Sequence, residues 1–254
     1  MIDAAIPRAA LVTGAARRIG RAIAVELAEA GFAVAIHCNG SLDDALATAG
    51  RLPTRSVVLR ANLSRESETG SLIAQATEAL GPIGVLVNNA SWFERDEVAT
   101  VTRDSWDTHF ETNLRAPFVL TQAFAAALPV DARGVVVNLI DQRVWSLTPH
   151  FISYSVSKAA LWALTQSLAL ALAPRIRVNG IGPGPAIASA RQTAEQFARQ
   201  SGSVPLGHGT SPDEIARGML AILSLPAMTG QMLALDGGQH LQWSPARNGE
   251  TDPE

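Results

Sequence analysis

Short apolar runs alternate with longer helical patterns along almost the whole chain, and that alternation leaves few folds open. Residues 9–13 (AALVT), 32–37 (FAVAIH), 56–60 (SVVLR), 85–88 (VLVN), 135–140 (VVVNLI) and 231–235 (QMLAL) read as strands, and a further strand begins at 177–179. Helical patterns fill the gaps at 19–30, 66–80, 103–128, 153–173 and 212–225, with another that Ser41 is expected to cap and that opens on Asp43 and Asp44, acids suited to a positive helix N-terminus. Gly31, Gly81, Pro82 and Pro174 supply the stops, and Pro117 is expected to bend or divide the 103–128 helix. Continuous apolar strands, each followed by a helix, specify a parallel sheet covered on both faces. The expectation is therefore α/β: one doubly wound domain over residues 1–243, with a seven-stranded parallel sheet and helices on both faces. Residues 181–204, rich in Pro, Gly, Ala and Ser with a weak helical pattern near 192–200, read as irregular, and the polar tail 244–254 reads as disordered.

Composition removes several function classes. A chain of 254 residues that is 47% hydrophobic can bury one large core. Its net charge of −3, with no basic run, argues against nucleic acid as a partner. The five histidines have no mutual spacing that suggests a metal site. No apolar stretch reaches about 18 residues, so no membrane span is expected. The opening MIDAAIPRAALVTG lacks the basic and apolar segments of a secretory signal, and a single cysteine, Cys38, suits a reducing compartment. A cytoplasmic protein is expected.

TGAARRIG (13–20) joins the first strand to the first helix. Gly14 allows a tight turn and Gly20 close packing, which turns backbone N–H groups and a helix N-terminus towards a pyrophosphate. The second strand ends in HCNGS (37–41), without the acid that binds an unphosphorylated ribose until Asp43, which the helix N-terminus itself explains. Arg17 and Arg18 stand in the loop instead, and a guanidinium can pair with a 2′-phosphate, so NADPH is expected over NADH.

The only tyrosine, Tyr154, lies four residues before the only lysine, Lys158; the other 19 basic residues are arginine. On a helix that spacing puts both on one face. A phenol beside a compact cation is a tunable proton donor and acceptor.

TGAARRIG, NNA (88–90), Asn113, YSVSK (154–158) and PG (183–184) together resemble the short-chain dehydrogenase/reductase family over residues 9–241. The resemblance implies a single Rossmann-type domain, a nicotinamide cofactor, a Tyr154–Lys158 proton relay extended by a water held at Asn113, and frequent homotetramers, with helices 103–128 and 153–173 at one interface. It also implies cofactor contacts from Gly14, Arg17, Arg18, Ile19, Gly20, Asn39, Ser41, Asn62, Leu63, Asn89, Ala90, Pro183 and Gly184. Asn62 stands where the family places an aspartate against the adenine, and Arg18 is expected with Asn39 and Ser41 near the 2′-phosphate.

Two departures narrow the resemblance. Arg18 replaces a usual glycine, and Asp141 stands where the family has a serine, thirteen residues before the tyrosine. Both are similar to the pteridine reductases and the related dihydromonapterin reductases. That branch implies substrate contacts from Ser91, Phe93, Asp141, Tyr154 and Pro185, with Phe93 stacking on the pterin. In this reading Asp141 opposes the pull of Lys158 on the phenol and favours its protonated form, or donates a proton itself. The expected reaction is NADPH-dependent reduction of a dihydropterin such as dihydrobiopterin or dihydromonapterin. Two other readings stay open: a carbonyl or 3-oxoacyl reductase of the same fold, and a NADPH-binding regulatory protein without turnover.

Overall fold

The computed structural model describes residues 1–189 and 191–242; the expected disordered tail 244–254 lies outside the described residues. Strands β1 (Ala9–Val12), β2 (Ala33–Cys38), β3 (Ser56–Arg60), β4 (Val85–Asn88), β5 (Gly134–Leu139), β6 (Ile176–Pro183) and β7 (Met232–Leu235) form one sheet in the order β3-β2-β1-β4-β5-β6-β7. Every pairing is parallel, so the expected fold class is met. Successive strand residues point to opposite faces. Ala10 and Val12 of β1 therefore join one core layer with Val34, Ile36, Val85 and Val87, beneath helices α1 (Arg18–Glu29), α2 (Leu42–Ala49) and α9 (Pro212–Ser224). Ala9 and Leu11 join the other layer, beneath α4 (Leu72–Leu80), α6 (Ala116–Ala127) and α7 (Ile152–Leu172). Fully buried anchors such as Ile23, Leu120 and Phe124 each contribute about 1.5–3 kcal/mol.

Three helices depart from the sequence expectation, each for a local reason. The 66–80 pattern is two pieces, α3 (Glu66–Thr69) and α4, separated at Gly70 and Ser71, where glycine weakens the helix. The 103–128 pattern is α5 (Arg103–Phe110), a π-helical turn over Glu111–Arg115, and α6. Pro117 has no N–H for the carbonyl of Asn113 four residues earlier, and the π turn shifts the register where that bond is missing. In the irregular region the helix is α8 (Ala194–Gly202), capped by a reciprocal Thr193–Gln196 box. Ser41 precedes α2 without a side-chain capping bond, although Asp43 and Asp44 do occupy the first turn.

Strand order reverses between β1 and β4. Chain leaving these two strands diverges to opposite sides and opens a crevice at their carboxyl ends, the place where open α/β sheets bind ligands.

Candidate active site

Two adjoining cavities occupy that edge. The larger, of about 620 Å³, contains Gly14, Arg17, Arg18, Ile19, Gly20, Asn39, Ser41, Asn62, Leu63, Asn89, Ala90 and Ser91 in its wall. It is shaped chiefly by backbone. Gly14 adopts φ +63°, and a Cβ at Gly20 would lie 2.5 Å from Asn89 Nδ2 and closer still to the Gly14 carbonyl. Asn89 Nδ2 donates to the carbonyls of Thr13 (2.8 Å) and Gly14 (3.2 Å), tying the β4 end to the glycine loop. His37 braces the loop from below: its Nδ1 accepts from Gly14 N–H (3.1 Å), and its Nε2 donates to the Ala61 carbonyl (3.0 Å). The bond that Nδ1 accepts requires a neutral ring, and burial pushes the His37 pKa down accordingly, against the opposing effect of the Ala61 bond. Nothing in the sequence marked His37 for this role.

The second cavity, of about 230 Å³, holds Phe93, Asp141, Tyr154, Lys158, Pro183, Gly184 and Pro185, with Arg18, Ile19, Asn89 and Ser91 shared with the first. Tyr154 O–H donates to Asp141 Oδ2 at 2.8 Å. Asp141 sits at the end of β5 and caps the short 3₁₀ turn Gln142–Val144, its Oδ1 accepting from Arg143 N–H at 2.8 Å. Arg143 Nη1 lies 3.5 Å from Asp141 Oδ2. Lys158 Nζ donates to the Leu139 carbonyl at 2.7 Å and lies 5.8 Å from the centre of the Tyr154 ring. Burial pushes the Lys158 pKa down to about 8, with the negative Asp141 opposing the fall. The buried Tyr154 and Lys158 thus lie together on one side of α7, as their spacing predicts, with the half-buried Asp141 bonded to the phenol.

Two of the expected site residues also have partners within the protein. Arg18 was expected beside a 2′-phosphate. Its φ of 55° sets the backbone in the left-handed region, and its guanidinium donates to the carbonyls of Ala188 (3.1 Å) and Ile187 (3.4 Å) in the loop after β6. Arg17, Arg18, Asn39 and Ser41 all line the larger cavity, with Arg17 Nε 3.6 Å from Asp44. Asn113 was expected to hold a water. Its side-chain Oδ1 accepts from Trp92 N–H (2.8 Å) and Ser91 Oγ (3.2 Å), and its Nδ2 donates to the Trp92 carbonyl (3.0 Å) and Ser157 Oγ (3.1 Å). That exhausts the amide; Asn113 lines neither cavity and braces the strap that carries Phe93. Asn62 likewise folds on itself, its Oδ1 accepting from the N–H and hydroxyl of Ser64.

Phe93 presents its ring to the cleft from a fixed position. One face stacks on Phe151 (centroids 4.7 Å, planes 2° apart), and the ring meets Tyr154 edge to face at 4.7 Å. Arg191 Nη1 bonds Glu94 Oε2 at 2.7 Å and Nη2 the Phe93 carbonyl at 3.2 Å, joining this strap to the loop after β6.

Behind Tyr154 lies a cluster that sequence reading missed. Asp96 Oδ1 accepts from Ser153 N–H at 3.1 Å, capping α7, and Asp96 Oδ2 accepts the Ser153 hydroxyl. Ser153 Oγ also lies 2.7 Å from His109 Nδ1, and Glu94 N–H donates to His109 Nε2 at 3.3 Å. These are the residue types of an acyl-transfer triad. Yet all three are buried, and the serine hydroxyl serves the carboxylate rather than a base, so the cluster holds the strap and the start of α7 in place.

Among the described residues no group of three or more His, Cys, Asp or Glu side chains could hold a metal ion, and no helix is long and apolar enough to cross a membrane.

The FolM alternative dihydrofolate reductase 1 structures from Brucella canis (with NADP; 47% identical, TM-score 0.92) and Brucella suis (with NADP; 48%, TM-score 0.91) each cover 97% of this chain and 100% and 99% of their own. The 3-oxoacyl-[acyl-carrier-protein] reductase FabG of Staphylococcus epidermidis is 30% identical over 245 residues, 92% of this chain and 99% of the relative. A family model described as enoyl-(acyl carrier protein) reductase matches residues 14–240. With the glycine loop, the Tyr154–Lys158 pair and a seven-stranded parallel sheet all in place, the chain belongs to the short-chain dehydrogenase/reductase family.

Proposed function

We propose that this protein is an NADPH-dependent reductase of a dihydropterin. The observation that carries the reading is the Tyr154 O–H···Asp141 pair on the wall of the cleft. The usual serine at that position offers a hydroxyl proton to a substrate carbonyl. An ionised carboxylate offers no proton and repels a carbonyl oxygen, but it accepts from the N–H groups that a pterin ring carries. The Phe93 ring beside it suits a flat heteroaromatic substrate. The similarity to two FolM structures at 47–48% identity supports the same reading. The FabG similarity, at 30%, favours the second reading, 3-oxoacyl thioester reduction.

The larger cavity fits the cofactor: its glycine loop has no room for a Cβ at Gly20, and no acid stands at Asn39–Ser41 to favour the unphosphorylated form. Arg17, Asn39 and Ser41 would hold the 2′-phosphate; Asn62 and Leu63 the adenine; and Asn89, Ala90, Pro183 and Gly184 the nicotinamide end. Bound NADPH supplies the hydride. Tyr154 delivers the balancing proton to the ring nitrogen, and Lys158 stabilises the phenolate left behind while binding the nicotinamide ribose. Asp141 holds the phenol in its protonated state before transfer and orients the pterin through its N–H groups. A cytoplasmic homotetramer completes the reading, supported by apolar side chains left exposed on α7, such as Leu170 and Val156; light scattering at micromolar concentration tests it, and a monomer refutes it.

The test is NADPH oxidation with dihydrobiopterin, dihydromonapterin, dihydrofolate and a 3-oxoacyl thioester. Turnover of at least one pterin, well above the thioester, is expected; thioester turnover alone refutes the reading. Asp141→Ser should lower kcat/KM for the pterin about 10–100-fold while NADPH affinity stays within about twofold. An unchanged kcat would remove Asp141 from the mechanism.

A further inference from the structure

Buried polar groups in a folded protein are almost always paired, so one left unpaired in the wall of a cleft is suited to a bound molecule. Several polar side chains around Tyr154 are taken up within the chain. Asn89 is spent on the glycine loop, Lys158 Nζ on the Leu139 carbonyl, and Gln192 on Ser189 N–H and Gln200 Oε1. Gln142 and Ser189 are different. Gln142 is only 5% exposed and its buried Oε1 has no hydrogen-bond partner; the buried Ser189 Oγ has none either. Both residues line the cleft that holds Tyr154 and Asp141.

Neither residue is loosely held. Gln142 opens the 3₁₀ turn that Asp141 caps, and its main-chain carbonyl accepts from Trp145 N–H (2.9 Å) and Ser146 N–H (3.3 Å). Its backbone is therefore fixed while its amide oxygen is left over, and the soft terminal torsion of a glutamine lets that oxygen turn towards the cleft. Ser189 lies in the loop after β6, beside the Ala188 carbonyl that Arg18 grips, and its N–H is bound to Gln192. The two differ in the partner they need. A hydroxyl rotates to donate or to accept, so Ser189 suits either; an amide oxygen only accepts, so Gln142 requires an N–H or O–H. The preceding residue, Asp141, is also an acceptor and already takes protons from Tyr154 O–H and Arg143 N–H. A molecule in this cleft thus meets two successive acceptors, and leaves Gln142 unpaired unless it brings a donor of its own. A 3-oxoacyl thioester has none near its reacting carbons, whereas a dihydropterin ring has several.

We propose that Gln142 is a specificity residue whose amide oxygen accepts an N–H of the substrate ring, with the Ser189 hydroxyl as a second polar contact, so that the cleft selects its substrate by the donors it carries. The inference rests on the pterin reading above. Gln142 takes no part in hydride or proton transfer, so its loss falls on substrate binding and not on the chemical step.

Two substitutions separate the acceptor from the volume. Gln142→Met keeps the size and removes the acceptor; Gln142→Glu keeps an oxygen in its place. The full-length protein is assayed with NADPH and whichever of dihydrobiopterin, dihydromonapterin and dihydrofolate the wild type reduces fastest. Gln142→Met should raise KM for that pterin about 5–10-fold with kcat within about twofold, and Gln142→Glu should keep KM within about threefold of wild type. Ser189→Ala should raise KM by a smaller factor, about two- to threefold. Because Gln142→Met removes an unpaired buried acceptor, its Tm should equal or exceed that of the wild type, whereas a structural role for Gln142 would lower it. An unchanged KM in Gln142→Met, a KM in Gln142→Glu as high as in Gln142→Met, or a raised KM accompanied by a lowered Tm overturns the inference while pterin reduction itself stands. Absence of turnover on all three pterins in the wild type overturns the pterin reading and the inference together.

Discussion

The cofactor-side cavity is shaped by backbone and small residues, whereas the substrate-side cavity is shaped by long side chains that hold one another. On the first side the decisive contacts are short-range: Gly14 at positive φ, Gly20 with no room for a methyl, and Asn89 bonded to two loop carbonyls. On the second, Tyr154 is bonded to Asp141, Asp141 faces Arg143, Arg18 grips the loop after β6, and Arg191 ties that loop to Phe93 and Glu94. The first cavity is a mould and tolerates almost no added volume. The second is a network of charges, and in it a loss of charge matters more than a loss of volume. One consequence is that binding and chemistry should separate on mutation.

The largest expected effect is Tyr154→Phe, which removes one oxygen from the network and nothing from the mould. Turnover should fall about 10³–10⁴-fold, with the circular dichroism spectrum retained and NADPH affinity within about twofold. A fully active variant would end the relay argument, and a parallel loss of NADPH binding would show that the two sides are not separable. Gly20→Ala is the converse, adding one carbon to the mould. Overpacking at about 1–3 kcal/mol should weaken NADPH binding roughly 10–100-fold by fluorescence titration. Unaltered affinity would mean the loop is less tightly shaped than its contacts imply.

The smallest effect is one of stability. Lys158 titrates near pH 8 in the folded protein and near its ordinary 10.5 when unfolded. The folded state therefore holds fewer protons between those values. The cost of burying the ammonium is present in full below about pH 8 and is relieved as pH rises towards about 10.5. Lys158→Met should raise Tm by a few degrees at pH 7 while abolishing turnover, and the advantage should shrink across that pH window. A variant less stable than wild type at pH 7 would show that the Leu139 bond outweighs the burial cost.

Much of this was legible in the one-dimensional pattern. The periods of the apolar residues are local quantities, and they located the seven strands and set their covering on both faces. The glycine loop, the Tyr154–Lys158 spacing and Asp141 were readable for the same reason: each is a short segment whose geometry follows from its own helix, strand or turn. Element ends were less exact, as in the π turn before Pro117 and the break at Gly70.

What could not be read were the contacts between segments far apart in the chain. Arg18 meets Ala188 across 170 residues, and Arg191 meets Glu94 across 97. His37 beneath the glycine loop and the Asp96–His109–Ser153 cluster behind Tyr154 join separate elements in the same way. The partners of the Asn113 amide, Trp92, Ser91 and Ser157, were equally unreadable, because a residue's type shows its hydrogen-bonding capacity but not which neighbours will use it. Local periodicity and turn chemistry were therefore enough for the fold, and spacing together with the family resemblance for the candidate reacting groups. The direction of each long side chain came from packing, because a flexible side chain takes its orientation from partners that only folding brings within reach.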